Sequence, residues 1–172
     1  MALIKSLFGK TPQFGTDCFL AENATIIGDV VAGHQCSFWY QSVVRGDVHQ
    51  IRLGHRVNVQ DGAILHCTYQ KFDLQIGDDV SIGHRAIVHG CHIGSKVLIG
   101  MGAIVLDGAH IKDEVLIAAG AVIKEGMVCE SGYLYAGVPA KKIKLLSEEM
   151  RRGQIERIAK AYPKYADWYQ QE

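Results

Sequence analysis

From Ile76 onward an aliphatic residue returns every six positions, through Ile82 and Val88, then, after a single step of five, through Ile93, Ile99, Val105, Ile111, Ile117 and Ile123. A helix needs returns of three and four, and an ordinary strand alternates at every second residue. A second series of mostly small residues, Val80, Ala86, Val97, Ala103, Ala109, Val115 and Ala121, falls four places after members of the first. The same register runs earlier, through Leu20, Ile26, Ala32, Phe38 and Val44, and again through Leu53, Val59 and Leu65. Two apolar positions in six, separated by turn-forming Gly and Asp, make a short strand and a bend. Three such sides close one coil of a parallel β-helix, and successive coils stack about 4.8 Å apart around an aliphatic axis. A β-sandwich would instead give turns every 8 to 12 residues or about that, with a period of two. The expected fold is therefore an all-β solenoid, a parallel β-helix of hexapeptide repeats over residues 1–140 with a short N-terminal lead. A segment of different character, 141–172, follows it.

In that segment Ile155, Ile158, Ala159, Tyr162, Ala166 and Tyr169 keep the spacing of an amphipathic α-helix. Ser147 is placed to cap it, with Glu148 and Glu149 in the first turn, where acidic groups favour the helix dipole. Pro163 lies inside the pattern and is expected to kink or divide the helix. The charges are mixed in sign, so the helix is expected to pack on the coil or on a neighbouring subunit.

Eighteen Lys and Arg balance eighteen Asp and Glu, which argues against nucleic acid or an anionic membrane surface as a field-driven partner. No apolar run approaches the roughly 18 residues of a transmembrane helix. Met1 to Lys10 lacks a signal-peptide pattern, and a cytoplasmic location is expected. Five cysteines without a C-x-x-C are read as free thiols.

Eight histidines are present. His66 follows Leu65 and His89 follows Val88, so both point outward from the coil. With Leu65 on side one, Ile76 falls on side two after five extra residues, Ile82 on side three, and Val88 returns to side one. His66 and His89 then stack one coil apart, within reach of one ion. His84 lies in the hexad of Ile82, on another side near a corner, and cannot meet them within one chain. A threefold trimer of parallel prisms brings the corner of one subunit to the flat side of the next. Three imidazoles with an open fourth position are the donor set of a catalytic zinc site. Taken singly, any of them reads as a solvated surface residue; the triple carries the metal reading. His34, His49, His55 and His110 are read as surface residues, and His92 is left unassigned. Cys67 and Cys91 are read as small hydrophobes rather than ligands.

The segments Arg45-Gly46-Asp47, Asn58-Val59-Gln60-Asp61-Gly62, Leu65-His66, Ile82-Gly83-His84, Val88-His89-Gly90 and Gly100-Met101-Gly102 resemble the gamma-class carbonic anhydrases and their bacterial relatives. The likeness runs from Pro12 into the C-terminal helix. It implies a left-handed coil, a hand that the repeat alone does not give. It also implies a homotrimer in which His66 and His89 of one chain and His84 of the next bind zinc, with iron or cobalt as alternatives. Gln60 would then hydrogen-bond a metal-bound hydroxide and Asn58 would orient substrate. Arg45 and Asp47 would form a cross-subunit ion pair near the site, with Asp61 as a further partner of the arginine. Structural roles stand beside these: Gln60 as a polar rung, Asn58 as a corner stabiliser, Arg45 and Asp47 as trimer contacts.

The reaction implied is reversible hydration of CO2 to bicarbonate, the work of a gamma-class carbonic anhydrase-like zinc lyase. In the best-studied members an acidic loop carries a Glu proposed as proton shuttle. Here the stretch Cys67 to Gln75 is short, Asp73 is its only carboxylate, and Val48 stands where those enzymes have a second acidic residue. A slow enzyme is expected. Two other readings belong to different classes: a hexapeptide acyltransferase using one histidine as general base, and a scaffold or metal-binding trimer without hydratase activity.

Overall fold

The computed structural model describes residues 1–170; residues 171 and 172, the end of the segment expected to be helical, lie outside the described residues. The chain winds a parallel β-solenoid of about seven turns with a single C-terminal helix. Each coil contributes one short strand to each of three sides. Side one stacks Ile26, Val44, Leu65, Val88, Val105 and Ile123 in register. Side two stacks Ala32, Leu53, Ile76, Ile93, Ile111 and Cys129. Side three stacks Leu20, Phe38, Val59, Ile82, Ile99, Ile117 and Tyr135. The six-step series thus becomes the axis of the prism, and nearly all of it is buried. The second series, from Val80 to Ala121, is fully buried as well. Its residues are small because the interior narrows at the corners, where the chain bends.

Three steps break the six-residue rule: nine residues from Val44 to Leu53, eleven from Leu65 to Ile76, and five from Val88 to Ile93. All three fall where side one passes to side two. The strand Val43–Leu53 continues around this corner. In the next coil Thr68 and Phe72 close a tight loop through Thr68 N–H to Phe72 C=O at 3.1 Å. At the corner between sides two and three the step is constant. Six successive coils there place a left-handed residue other than glycine, Asp17, Gln35, Arg56, Asp79, Lys96 and Glu114.

The N-terminal Leu3–Lys5 pairs with Thr25–Ile27 and extends side one. At the other end the chain reverses: Ala140–Leu145 pairs antiparallel with Tyr133–Gly137, so residues 141–145 form a strand rather than leading into the helix. The helical stretch begins at Glu148, where the Ser147 hydroxyl accepts from Met150 N–H at 3.2 Å. It packs on its own coil, Ile155 with Leu98 and Leu116 of side three and Ala166 with Phe19 and Trp39. Pro163 does not divide it. Arg157–Gln170 is continuous α-helix with the proline inside, because Tyr162 on one side and Ala166 on the other are both anchored against Trp39. The irregularity lies earlier, in a wide π-type turn over Arg151–Glu156. There Arg157 Nε takes the Gly153 carbonyl at 2.8 Å. No described helix is long and apolar enough to cross a membrane.

Candidate metal centre

Register places His66 opposite His89 on neighbouring strands Ile64–His66 and Ile87–His89. Both follow an inward aliphatic residue, so both imidazoles leave the outer surface of side one. His66 Nδ1 lies 3.0 Å from His89 Nε2. The other nitrogen of each ring is held by a carboxylate: His66 Nε2 by Asp47 Oδ1 at 3.0 Å and His89 Nδ1 by Asp107 Oδ1 at 2.6 Å. A carboxylate only accepts, so each ring must donate to it, and a neutral imidazole has a single N–H. The two nitrogens left over therefore face each other as bare lone pairs at 3.0 Å. While both rings are neutral they cannot hydrogen-bond each other. A cation placed between them removes the repulsion, so this pair fits two neutral imidazole ligands of one metal. Burial pushes His66 below the usual histidine pKa, against the opposing pull of Asp47, which favours the neutral, ligating form.

Asp47 is held in turn by Arg45. Burial alone would raise its carboxyl, but hydrogen bonds from Arg45 and His66 outweigh that and keep it below the usual range. Within the chain Arg45 and Asp47 close on each other. Strand alternation explains this, since the two residues flank Gly46 on one face of Val43–Leu53. Within the same chain Asp61 meets a different group. It pairs with His84, Oδ2 to Nδ1 at 2.9 Å, because the two occupy the same corner position one coil apart, as the bond from Arg85 N–H to Asp61 C=O records.

His84 stands at the corner between sides three and one, away from His66 and His89. Among the described residues no group of three or more His, Cys, Asp or Glu is arranged within the chain to hold a metal ion. What surrounds His84 is a buried polar relay. Its backbone N–H donates to Gln60 Oε1 at 3.2 Å, Gln60 Nε2 donates to Asn58 Oδ1 at 3.0 Å, and Asn58 Nδ2 donates to Ser81 Oγ at 2.8 Å. Gln60 is 5% exposed and Asn58 1%, so neither is a solvated rung. Gln60 and His84 also line a groove of about 510 Å³ beneath the C-terminal helix, together with Tyr162 and Tyr165.

The other histidines separate by their partners. His34 and His55 are not idle surface groups: each Nδ1 accepts a backbone N–H, from Thr16 and from His34, at 3.0 Å. His92 Nε2 meets Asp73 Oδ1 at 2.8 Å. Asp73, which also accepts from Gln50 and Gln75, is held far below the usual carboxylate range by these three donors despite its burial. Cys67 and Cys91 are buried free thiols, and burial pushes Cys67 up to about 12, which makes it a poor ligand. Asp107 and Thr68, whose hydroxyl donates to Asp107 Oδ2 at 2.6 Å, were absent from the sequence reading. Coil arithmetic contains the signal for the aspartate: the coil with the five-residue step spans 17 residues, which sets Asp107 level with Gly90, the residue after His89.

Residues 90–125 match the family model "Bacterial transferase hexapeptide (six repeats)". The chain is 46% identical over 164 residues to Protein YrdA of Escherichia coli, covering 92% of this chain and 89% of that one. It is 44% identical over 161 residues to a protein of Geobacillus kaustophilus named carbonic anhydrase, covering 94% and 87%. The solved structure of a hexapeptide transferase family protein from Anaplasma phagocytophilum superposes with a TM-score of 0.92 at 36% identity, covering 97% of this chain and 98% of that one. Structural neighbours of this kind are left-handed β-helices, which gives the hand of the coil. The register, the imidazole pair and these likenesses lead to one conclusion: the chain belongs to the gamma carbonic anhydrase-like family of hexapeptide-repeat proteins.

Proposed function

We propose that the protein is a homotrimeric, metal-dependent enzyme for the reversible hydration of CO2, with His66 and His89 of one chain and His84 of its neighbour as metal ligands. The observation that carries the reading is the pair of imidazole nitrogens facing each other at 3.0 Å on side one, each ring held from behind by a carboxylate. The trimer is supported by what surrounds that pair. Val43, Ile64, Ile87, Ile104 and Val122 form an outward column of β-branched residues on the same side, with Ile64 41% exposed. A second prism laid against this column would cover it and bring its own corner, with His84 and Gln60, to the imidazole pair. Three neutral nitrogens accept zinc, iron or cobalt. Five free thiols suit a reducing cytoplasm.

When bound, zinc supplies Lewis acidity sufficient to bring the pKa of water from 15.7 to about 7. The chain's own residues do the rest. Asp47 and Asp107 hold the two imidazoles as neutral donors in fixed orientation. Asn58, anchored on Ser81, fixes the Gln60 amide. The second N–H of Gln60 Nε2 is then left to orient a substrate oxygen. Asp73 is bound by three donors and cannot carry protons outward. Proton export therefore falls to external buffer, and turnover should rise with imidazole buffer concentration.

Stopped-flow CO2 hydration by metal-loaded trimer tests the reading. We expect a rate above buffer with zinc, cobalt or iron. No rate with any of the three, in a protein that holds the metal, leaves a metal-binding scaffold instead. The likeness to hexapeptide transferases and the apolar groove beside His84 favour one second reading, acyl transfer. Coenzyme A binding by calorimetry would support it, and an absence of heat would remove it.

A further inference from the structure

We infer that Asp107, gripped by Thr68, is the positioning residue for His89, fixing the tautomer and angle that offer Nε2 to a metal. The inference rests on the metal reading above and extends it to two residues that the resemblance does not name. Asp107 Oδ1 lies 2.6 Å from His89 Nδ1, and its second oxygen accepts from Thr68 Oγ1, also at 2.6 Å. With both oxygens engaged, the carboxylate has one orientation, and the ring it holds has one tautomer. An anionic acceptor on Nδ1–H also makes Nε2 a more basic ligand.

Two features show that the surroundings are shaped around this contact. Gly90 follows His89 with φ +50°, and a Cβ there would stand 2.3 Å from Asp107 Oδ1 and 2.9 Å from Phe72 Cβ. Only glycine leaves room for the carboxylate to reach His89. Phe72 and Thr68 both belong to the loop that breaks the six-residue rule between Leu65 and Ile76. That loop is closed by Thr68 N–H to Phe72 C=O at 3.1 Å and Lys71 N–H to Thr68 C=O at 3.1 Å. The extra residues in this coil therefore bring one side chain onto Asp107 and another against Gly90. A loop with no free carboxylate for proton transfer acts here on the orientation of a ligand.

The test uses full-length protein stripped of metal and titrated with zinc against a competing chelator, together with the absorption spectrum of the cobalt-loaded form. Asp107→Ala should weaken zinc about 10–100-fold and alter the cobalt d–d bands. Asp107→Asn, which keeps an acceptor for Nδ1–H, should fall between it and the parent. Thr68→Val should weaken zinc less than Asp107→Ala does, and Thr68→Ser should restore the parental value. A parent that binds zinc alongside an Asp107→Ala variant with equal affinity and an unchanged cobalt spectrum overturns the inference and leaves the metal reading intact. A parent that takes up no metal overturns both. Should Asp107→Ala fail to fold, parental zinc affinity in both Asp107→Asn and Thr68→Val overturns the inference.

Discussion

At the corner between sides two and three, His34 and His55 stack with ring centres 5.0 Å apart and planes 9° from parallel. Each Nδ1 accepts the backbone N–H of the coil before it, and the column continues through Asp78, Ser95 and Asp113 in the same task. On side one, beside the corner with side two, His66 and His89 are also one coil apart, with ring centres again 5.0 Å apart. There the partners are reversed: carboxylates hold the outer nitrogens and the inner ones confront each other. A lone pair committed to a backbone N–H identifies a histidine that serves the coil, and the aspartates beyond it show that the residue type is replaceable. Lone pairs turned on each other identify a place for a cation. The step length separates the corners too, constant at the first and irregular at the second.

That contrast predicts effects of graded size. His89→Ala should abolish stoichiometric zinc uptake, measured by metal analysis after gel filtration, whereas His55→Ala should leave it unchanged. Ile99→Ala, in the axis that both corners share, should cost about 2–5 kcal/mol in urea unfolding of the metal-free protein, because Ile99 is fully buried in a stack that cannot collapse around a void. Gly120→Ala meets open space at φ +67° and should cost only the left-handed strain, about 1–2 kcal/mol. Gly90→Ala adds the collision with Asp107, so it should cost more and weaken zinc as well. A Gly90→Ala variant with parental zinc affinity would erase the distinction between the corners. His55→Ala should lose about 1 kcal/mol through the orphaned backbone N–H of His34, and His55→Asn should recover most of it.

The solenoid was legible because Ile, Leu and Val returning at six positions leave no helical or alternating solution. The count from Leu65 through Ile76 and Ile82 to Val88 also gives the His66–His89 column without any structure. Within the chain the same arithmetic pairs Asp61 with His84, since 61 to 84 spans the 23 residues that separate His66 from His89. Asp107 was hidden because Asp107-Gly108 reads as an ordinary turn. Thr68 reaches Asp107 across 39 residues from within an inserted loop, and loop conformation has no period to read. Pro163 was overread, because tertiary packing on Trp39 holds the helix together on both sides of it.

Subunit mixing tests the sharing of the site most directly. A His84→Ala chain keeps the imidazole pair, and a His66→Ala/His89→Ala chain keeps the corner; each alone should bind no zinc. Unfolded together and refolded, they should form mixed trimers that hold one zinc each, because one junction per mixed trimer has all three ligands. Mixed trimers that remain free of metal, or a His84→Ala chain that binds zinc as tightly as the parent, would contradict a centre built from two neighbouring chains.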